Sequence, residues 1–143
     1  MGSDPSYGRQ ELPPVQKPVS TIEKYWGNIT TVEVNDKFVL KHIFMRKDTQ
    51  SSMEYHVEKD EWYYVLSGKL KVGMRIGRAK NKSVILSAGE IIHIPKGLMH
   101  MRMALEDTVI VEWSNIDNDS DSNIVEDGTT YTFTENLNES TVH

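Results

Sequence analysis

The sequence predicts an all-β single domain, an antiparallel sandwich or barrel, on three observations. Ten short runs rich in Val, Ile, Tyr and Phe recur at close spacing. Turn residues separate these runs. No stretch keeps a helical period of apolar residues over three turns.

The elements follow in order. Residues 1–18 are rich in Pro, Gly and Ser and read as a flexible leader. Strand runs begin at 19–26, 29–34 and 37–45, the last two parted by Asn35-Asp36. Runs at 52–56 and 61–66 follow, then 69–76 after Ser67-Gly68. The series closes with 83–86, with 90–94 after Ala88-Gly89, with 99–105 after Pro95-Lys96-Gly97, and with 108–113 after Glu106-Asp107. The barrel is therefore assigned to 19–114. Residues 115–143 form an acidic polar tail, with a closing strand expected at 130–134. In that tail Asp117, Asp119 and Asp121 alternate like the start of a calcium loop. Ser122 stands where Gly is needed and Gly128 where Glu is needed, so a solvated tail is the reading.

Composition narrows the function classes. At 143 residues the chain fits one domain, and such a domain buries roughly 70% of its unfolded surface. The absence of cysteine excludes disulfides, thiolate metal sites and cysteine nucleophiles, and fits a cytoplasmic protein. No apolar run reaches the length of a membrane helix, and the start lacks the apolar core of a secretory signal. Met1-Gly2-Ser3-Asp4-Pro5-Ser6 formally matches a myristoylation pattern, but a Gly/Ser/Asp leader reads more simply as a disordered start. Net charge is −5 with the basic residues dispersed, which argues against a nucleic-acid footprint. The locally basic 75–82 reads as a hairpin tip. Asn-x-Ser/Thr triplets begin at Asn28, Asn81, Asn118 and Asn138, short enough to be chance.

Two patterns carry chemistry. The first is Glu54-Tyr55-His56, four residues, Glu61, six residues and Gly68; the second is Gly89, five residues and Pro95-Lys96-Gly97-Leu98-Met99-His100. Side chains alternate across a strand, so Glu54 and His56 share a face. A four-residue turn brings Glu61 nearly opposite His56, and the Pro-Lys-Gly turn starts the strand that carries His100. Glu54, His56, Glu61 and His100 thus form a ligand set for one divalent metal: Mn, Fe, Zn, Ni or Co. The carboxylates move the balance toward Mn or Fe. Burying several carboxylates without a cation would be costly, which favours a metal over plain packing. Glu58, in the turn, competes with Glu54 for the same role.

These patterns resemble the two signature motifs of the cupin superfamily over about residues 22–128. The second is matched through Gly89, Pro95, Gly97 and His100; the first has Glu54 where the superfamily usually has His. The resemblance implies a small double-stranded β-helix, a jelly-roll barrel, often a homodimer, with 19–34 as the exchanged or edge-pairing segment. Within cupins the chain looks most like the type II phosphomannose isomerase and mannose-1-phosphate guanylyltransferase C-terminal group. Tyr25-Trp26-Gly27, Lys37-Phe38-Val39-Leu40-Lys41, Glu61-Trp62-Tyr63-Tyr64-Val65-Leu66-Ser67-Gly68 and Ile124-Val125-Glu126-Asp127 carry that likeness. The position of Glu54 is commonly Gln there, another oxygen ligand. Departures stand beside it: Met101 rather than Arg follows His100, no Asn-Pro comes after, and Gly128-Thr129-Thr130-Tyr131 replaces the usual Tyr-Gly-Arg close.

The resemblance implies a sugar-phosphate isomerase, acting on a mannose-6-phosphate-like substrate by metal-polarised enediol chemistry. Arg102 shares the parity of His100 and suits a phosphate; on a strand it is equally often exposed. The catalytic candidates are His93, Arg102, Tyr63 and Glu58, with Lys41 as a further base. His93 lies between Ile92 and Ile94 and also suits a core histidine, and His42 reads as structural. Other metal-dependent cupin chemistries (lyase, epimerase, dioxygenase) and a non-catalytic small-molecule or sugar-binding module are the alternatives. Trp26, Trp62 and Trp113 suit sugar stacking, but tryptophans in β-proteins are more often packing. The expected partner is a small-molecule substrate, with no nucleic acid and no membrane.

Overall fold

The structure, a computed structural model, describes residues 8, 10–78 and 80–135. The leader residues 1–7 and 9, the tail residues 136–143, the myristoylation-like start and the Asn138 triplet lie outside the described residues.

The described residues build eleven strands and one short 3-10 turn. In order they are β1 (Ser20–Lys24), β2 (Gly27–Val34), β3 (Val39–Met45), β4 (Met53–Tyr55), β5 (Glu61–Ser67), β6 (Lys69–Ile76), β7 (Lys80–Ser87), β8 (Ile91–Ile94), β9 (Met99–Ala104) and β10 (Thr108–Ser114). The turn Asp119–Asp121 and β11 (Asn123–Glu126) close the series. Each of the ten runs read from the sequence overlaps a strand, β2 and β7 beginning two and three residues earlier than their runs. The closing strand lies earlier than expected: β11 pairs with β4, whereas 130–134 carries no strand. No helix among the described residues is long and apolar enough to cross a membrane.

Two antiparallel sheets face each other in a jelly roll. One runs β1-β2-β3-β10-β5-β8 and the other β11-β4-β9-β6-β7. Alternation decides the core, because every second residue of a strand points the same way. On β10, Thr108, Ile110, Glu112 and Ser114 are all buried, while Trp113 between them is exposed. Ile43, Met45, Tyr63, Val65 and Ile110 from the first sheet meet Leu70, Val72, Leu86 and Ala104 from the second. Close connections fix the register. At Gly68 (φ 89°) an added Cβ would lie 2.3 Å from the Asp107 carbonyl oxygen, so only glycine fits the β5–β6 turn.

The acidic segment is only partly solvated. Residues 115–120 are exposed, but Asp121 is buried and Asp117 is ion-paired at the barrel mouth. Beyond β11 the chain lies over the outer face of the second sheet. There the Tyr131 hydroxyl accepts from Arg75 Nη2 (3.0 Å) and Asn81 Nδ2 (2.7 Å), and Phe133 meets Gly73. The glycine matters there, because an added Cβ would lie 2.7 Å from that ring.

Candidate metal centre

Four side chains converge inside the barrel. Glu54 on β4 stands directly opposite His100 on β9, so the pleat turns both the same way. His56 follows β4, and Glu61 opens β5. The two motifs are tied together by backbone: Gly97 N–H, in the turn after Pro95, donates to the His56 carbonyl at 2.7 Å. One ligating atom from each of Glu54, His56 and His100 lies within 4.8 Å of the others. Glu61 completes the group, its Oε2 3.1 Å from His56 Nε2 and its Oε1 3.7 Å from His100 Nε2. Glu54 belongs to this group, whereas the Glu58 side chain is exposed in the turn.

Both imidazoles are oriented from behind. His56 Nδ1 lies 3.1 Å from the Asp121 carbonyl oxygen and His100 Nδ1 lies 2.8 Å from that of Leu98. A carbonyl only accepts, so each ring carries a proton on Nδ1 and directs Nε2 inward. Hydrogen-bonded outer partners of this kind accompany metal-bound histidines.

The inner atoms have no hydrogen-bond partner. His56 Nε2, His100 Nε2 and Glu61 Oε2 are all buried and unsatisfied. Lone pairs and anionic oxygens crowded together repel unless a cation sits among them. A proton answers part of this. Burial disfavours the imidazolium of His56, yet Glu54 and Glu61 push its pKa up to about 10. Burial opposes ionisation of Glu61 as well, but His56 and Lys59 hold its carboxyl well below the usual range. Glu54 is also lowered against its burial, by His56. His100 goes the other way: burial keeps its pKa below the ordinary value, leaving Nε2 neutral and unmet. One proton cannot satisfy both rings, whereas a divalent ion accepts every one of these donors. Imidazole nitrogen and carboxylate oxygen suit Mn, Fe, Co, Ni and Zn. The residues therefore fit a metal.

Beside this centre opens a cavity of about 280 Å³ lined by Glu54, His56, Arg102, Lys59, Lys41 and Glu112, among others. Arg102 points inward. It is 7% exposed, its guanidinium lies 5.2 Å from the Trp26 ring and 5.6 Å from the Tyr63 ring, and Nη1 donates to the Tyr63 hydroxyl at 3.3 Å. Its Nε has no partner. Tyr63 is fully buried, and burial raises its pKa well above the ordinary value.

Sequence reasoning named Lys41 and Tyr63 but missed Glu112, Lys59 and Asp117 in the charged row that faces this cavity. Thr31, Lys41, Glu112 and Tyr63 are cross-strand neighbours along one line of the first sheet. Lys59 Nζ lies 2.9 Å from Glu112 and 3.1 Å from Asp117, which also meets Lys41 at 2.6 Å. Burial opposes the charge of Lys59, but Glu112, Glu61 and Asp117 raise its pKa further still. Glu112 was legible in the alternation of 108–114, where a carboxylate occupies an inward position beside Ile110.

His93 and Glu58 are not brought to this cluster. Glu61 and Ile94 are a buried cross-strand pair, so the next pair, Trp62 and His93, points outward. There His93 stacks on Trp62 at 4.4 Å and its Nε2 lies 2.6 Å from Asp60. Trp62 also packs on Trp113 on that outer face, while Trp26 is buried beneath Arg102.

A family model described as Cupin matches residues 15–142. Mannose-1-phosphate guanylyltransferase from Sinorhizobium fredii (strain NBRC 101917 / NGR234) is 26% identical over 80 residues, 56% of this chain and 15% of that protein. The capsular polysaccharide assembling protein CapF from Staphylococcus aureus superposes with a TM-score of 0.68 at 20% identity, covering 78% of this chain and 32% of CapF. Oxalate decarboxylase from Bacillus subtilis, described with Mn(II) centres, superposes with a TM-score of 0.63 at 15% identity, over 80% of this chain and 34% of its own. The chain thus spans about a third of these structures, and their likeness is one of fold.

Proposed function

Because this chain belongs to the cupin family, we propose that it is a metal-dependent enzyme that isomerises a small sugar phosphate of the mannose 6-phosphate kind. The observation that carries this reading is the unpartnered Arg102 Nε, buried beside an unsatisfied His/His/Glu cluster on one shared cavity. A cation next to a candidate metal centre suits a substrate with an anionic group at one end and a carbonyl at the other. The relative named for mannose 1-phosphate supports the sugar-phosphate class, and the neighbour described with Mn(II) centres supports manganese among the ions these donors suit.

Glu54, His56, Glu61 and His100 would hold the metal, which when bound would polarise a carbonyl oxygen and stabilise adjacent negative charge. Arg102 would anchor the phosphate through its free edge, since a guanidinium meets such oxygens with parallel donors. Glu112, a cavity carboxylate outside the ligand set, would move the proton between neighbouring carbons. Its place between Lys59 at 2.9 Å and Arg102 at 4.0 Å holds it in position. Tyr63 holds Arg102 rather than the substrate. His93 and Glu58, outside the cavity, take no part.

The test is turnover by the metal-loaded protein on a panel of sugar phosphates, small carboxylates and oxygen-uptake assays. Isomer formation that is lost in Arg102→Ala supports the reading. Elimination or oxygen uptake would replace it with another metal-cupin chemistry. Silence across the panel, with thermal stabilisation by a sugar, would replace it with a binding module.

A further inference from the structure

The turn between His56 and Glu61 takes its hydrogen bonds from a segment some sixty residues away. Val57 N–H donates to Asp121 Oδ1 at 2.8 Å, Glu58 N–H to Oδ2 at 3.0 Å and Lys59 N–H to Oδ2 at 3.0 Å. Asp60 N–H donates to Asn115 Oδ1 at 2.8 Å, and Asn115 Nδ2 donates back to the Glu58 carbonyl. All four N–H groups of the turn are therefore met by side chains of residues 115–121. The same Asp121 offers its own carbonyl oxygen to His56 Nδ1. Asp117, from this arm as well, meets the Lys59 ammonium.

A four-residue turn needs no such mould to reverse the chain. What the mould adds is placement: it fixes the two residues that flank the turn, and it fixes which ring nitrogen of His56 faces inward. We propose that the C-terminal arm is a working part of the metal centre, with Asp121 the positioning residue that holds His56 in its ligating orientation. This rests on the metal reading given above. The side chain of Asp121 acts at one remove, by seating the 3-10 turn so that the Asp121 carbonyl lies against Nδ1. Three converging N–H groups are a natural carboxylate cradle, and a charged acceptor makes each bond stronger than a neutral one would.

The test uses the full chain stripped of metal and titrated calorimetrically with Mn2+, Zn2+ and Co2+, each alone. Asp121→Ala is expected to weaken the affinity of the ion bound best by about 10- to 100-fold, the usual cost of losing a ligand's outer partner. Asp121→Asn keeps Oδ1 and loses the second acceptor, so an intermediate loss is expected, and it serves if Asp121→Ala does not fold. Gln50→Ala is the control, because Gln50 Nε2 fastens the arm further on, at the Gly128 and Tyr131 carbonyls. It is expected to lower the melting temperature while leaving affinity within about twofold. Wild-type affinity in both Asp121 variants would overturn the proposal, as would an equal loss in Gln50→Ala, which would mean that the arm only stabilises the barrel. A wild-type protein that takes up none of the three ions would overturn the metal reading and this proposal with it.

Discussion

His56 Nε2 and Glu61 Oε2 lie 3.1 Å apart in the barrel interior, and both atoms are buried. At this distance the pair is stable only when a cation is shared between them, either the proton that the carboxylates hold on His56 or a metal ion that displaces it.

Protein prepared without chelator or nickel resin is expected to carry near-stoichiometric divalent metal. The His56→Ala/His100→Ala double variant is expected to carry none. Elemental analysis reads both. Saturating metal at about 100 times its Kd should stabilise the parent by about 2.7 kcal/mol and leave the double variant unmoved in a thermal melt.

Metal affinity should rise with pH. With its pKa raised to about 10, His56 holds a proton near neutrality that a metal must displace, whereas His100, held below its ordinary value, contributes none. Affinity should therefore grow about tenfold per pH unit from neutrality up toward pH 10. The metal-free protein should behave oppositely. A folded pKa above the unfolded value adds stability that is full below about 6.5 and is lost as pH rises toward 10. Calorimetric titrations and urea melts at three pH values check the two slopes, and a flat affinity profile would contradict the shared proton.

Arg102→Ala should raise KM for a phosphorylated sugar more than it lowers kcat. Losing a hydrogen bond between charged groups costs about 2 kcal/mol, roughly thirtyfold. Arg102→Lys should recover part of that loss but not all, because a lysine lacks the paired edge. Steady-state kinetics with both variants would show this split; unchanged KM in both would remove Arg102 from substrate binding.

Glu112→Gln should lower kcat by about 10²- to 10⁴-fold while KM changes little, if Glu112 moves the proton. Stability bears on the same pair from another side. Lys59→Met leaves Glu112 and Asp117 without their shared cation, and breaking a buried pair costs about 3–5 kcal/mol. The Lys59→Met/Glu112→Leu double variant should recover part of this. Urea unfolding of the parent, Lys59→Met, Glu112→Leu and the double variant measures the coupling, and simple additivity would mean that the two charges do not support each other.

The strands were legible because alternation and turn residues are local. So was the ligand cluster: Glu54 and His56 share a parity, Glu61 follows a short turn, and Gly97 marks the bend before His100. His93 lies away from the cluster for a reason the sequence contains. With Glu61 inward and Ile94 inward, the residues paired next to them must face out, but seeing this requires knowing that β5 and β8 are neighbours. Glu112 was passed over in a run read as plain strand. The closing strand was placed on the Thr-rich 130–134, whereas the chain uses Asn123–Glu126 to cover the free edge of β4.

By itself the sequence determined the fold class, the strand positions and the residues of the candidate metal cluster, since each rests on periodicity and spacing within a few residues. Only the tertiary structure decided which carboxylates turn inward from afar. Asp121 reaches the His56 turn across 62 to 65 residues of chain, and Asp117 reaches Lys59 across 58. An aspartate among other aspartates reads as solvated until a distant set of unpartnered N–H groups, and a buried ammonium, are folded against it. That pairing is a property of the closed barrel and of no local stretch of the chain.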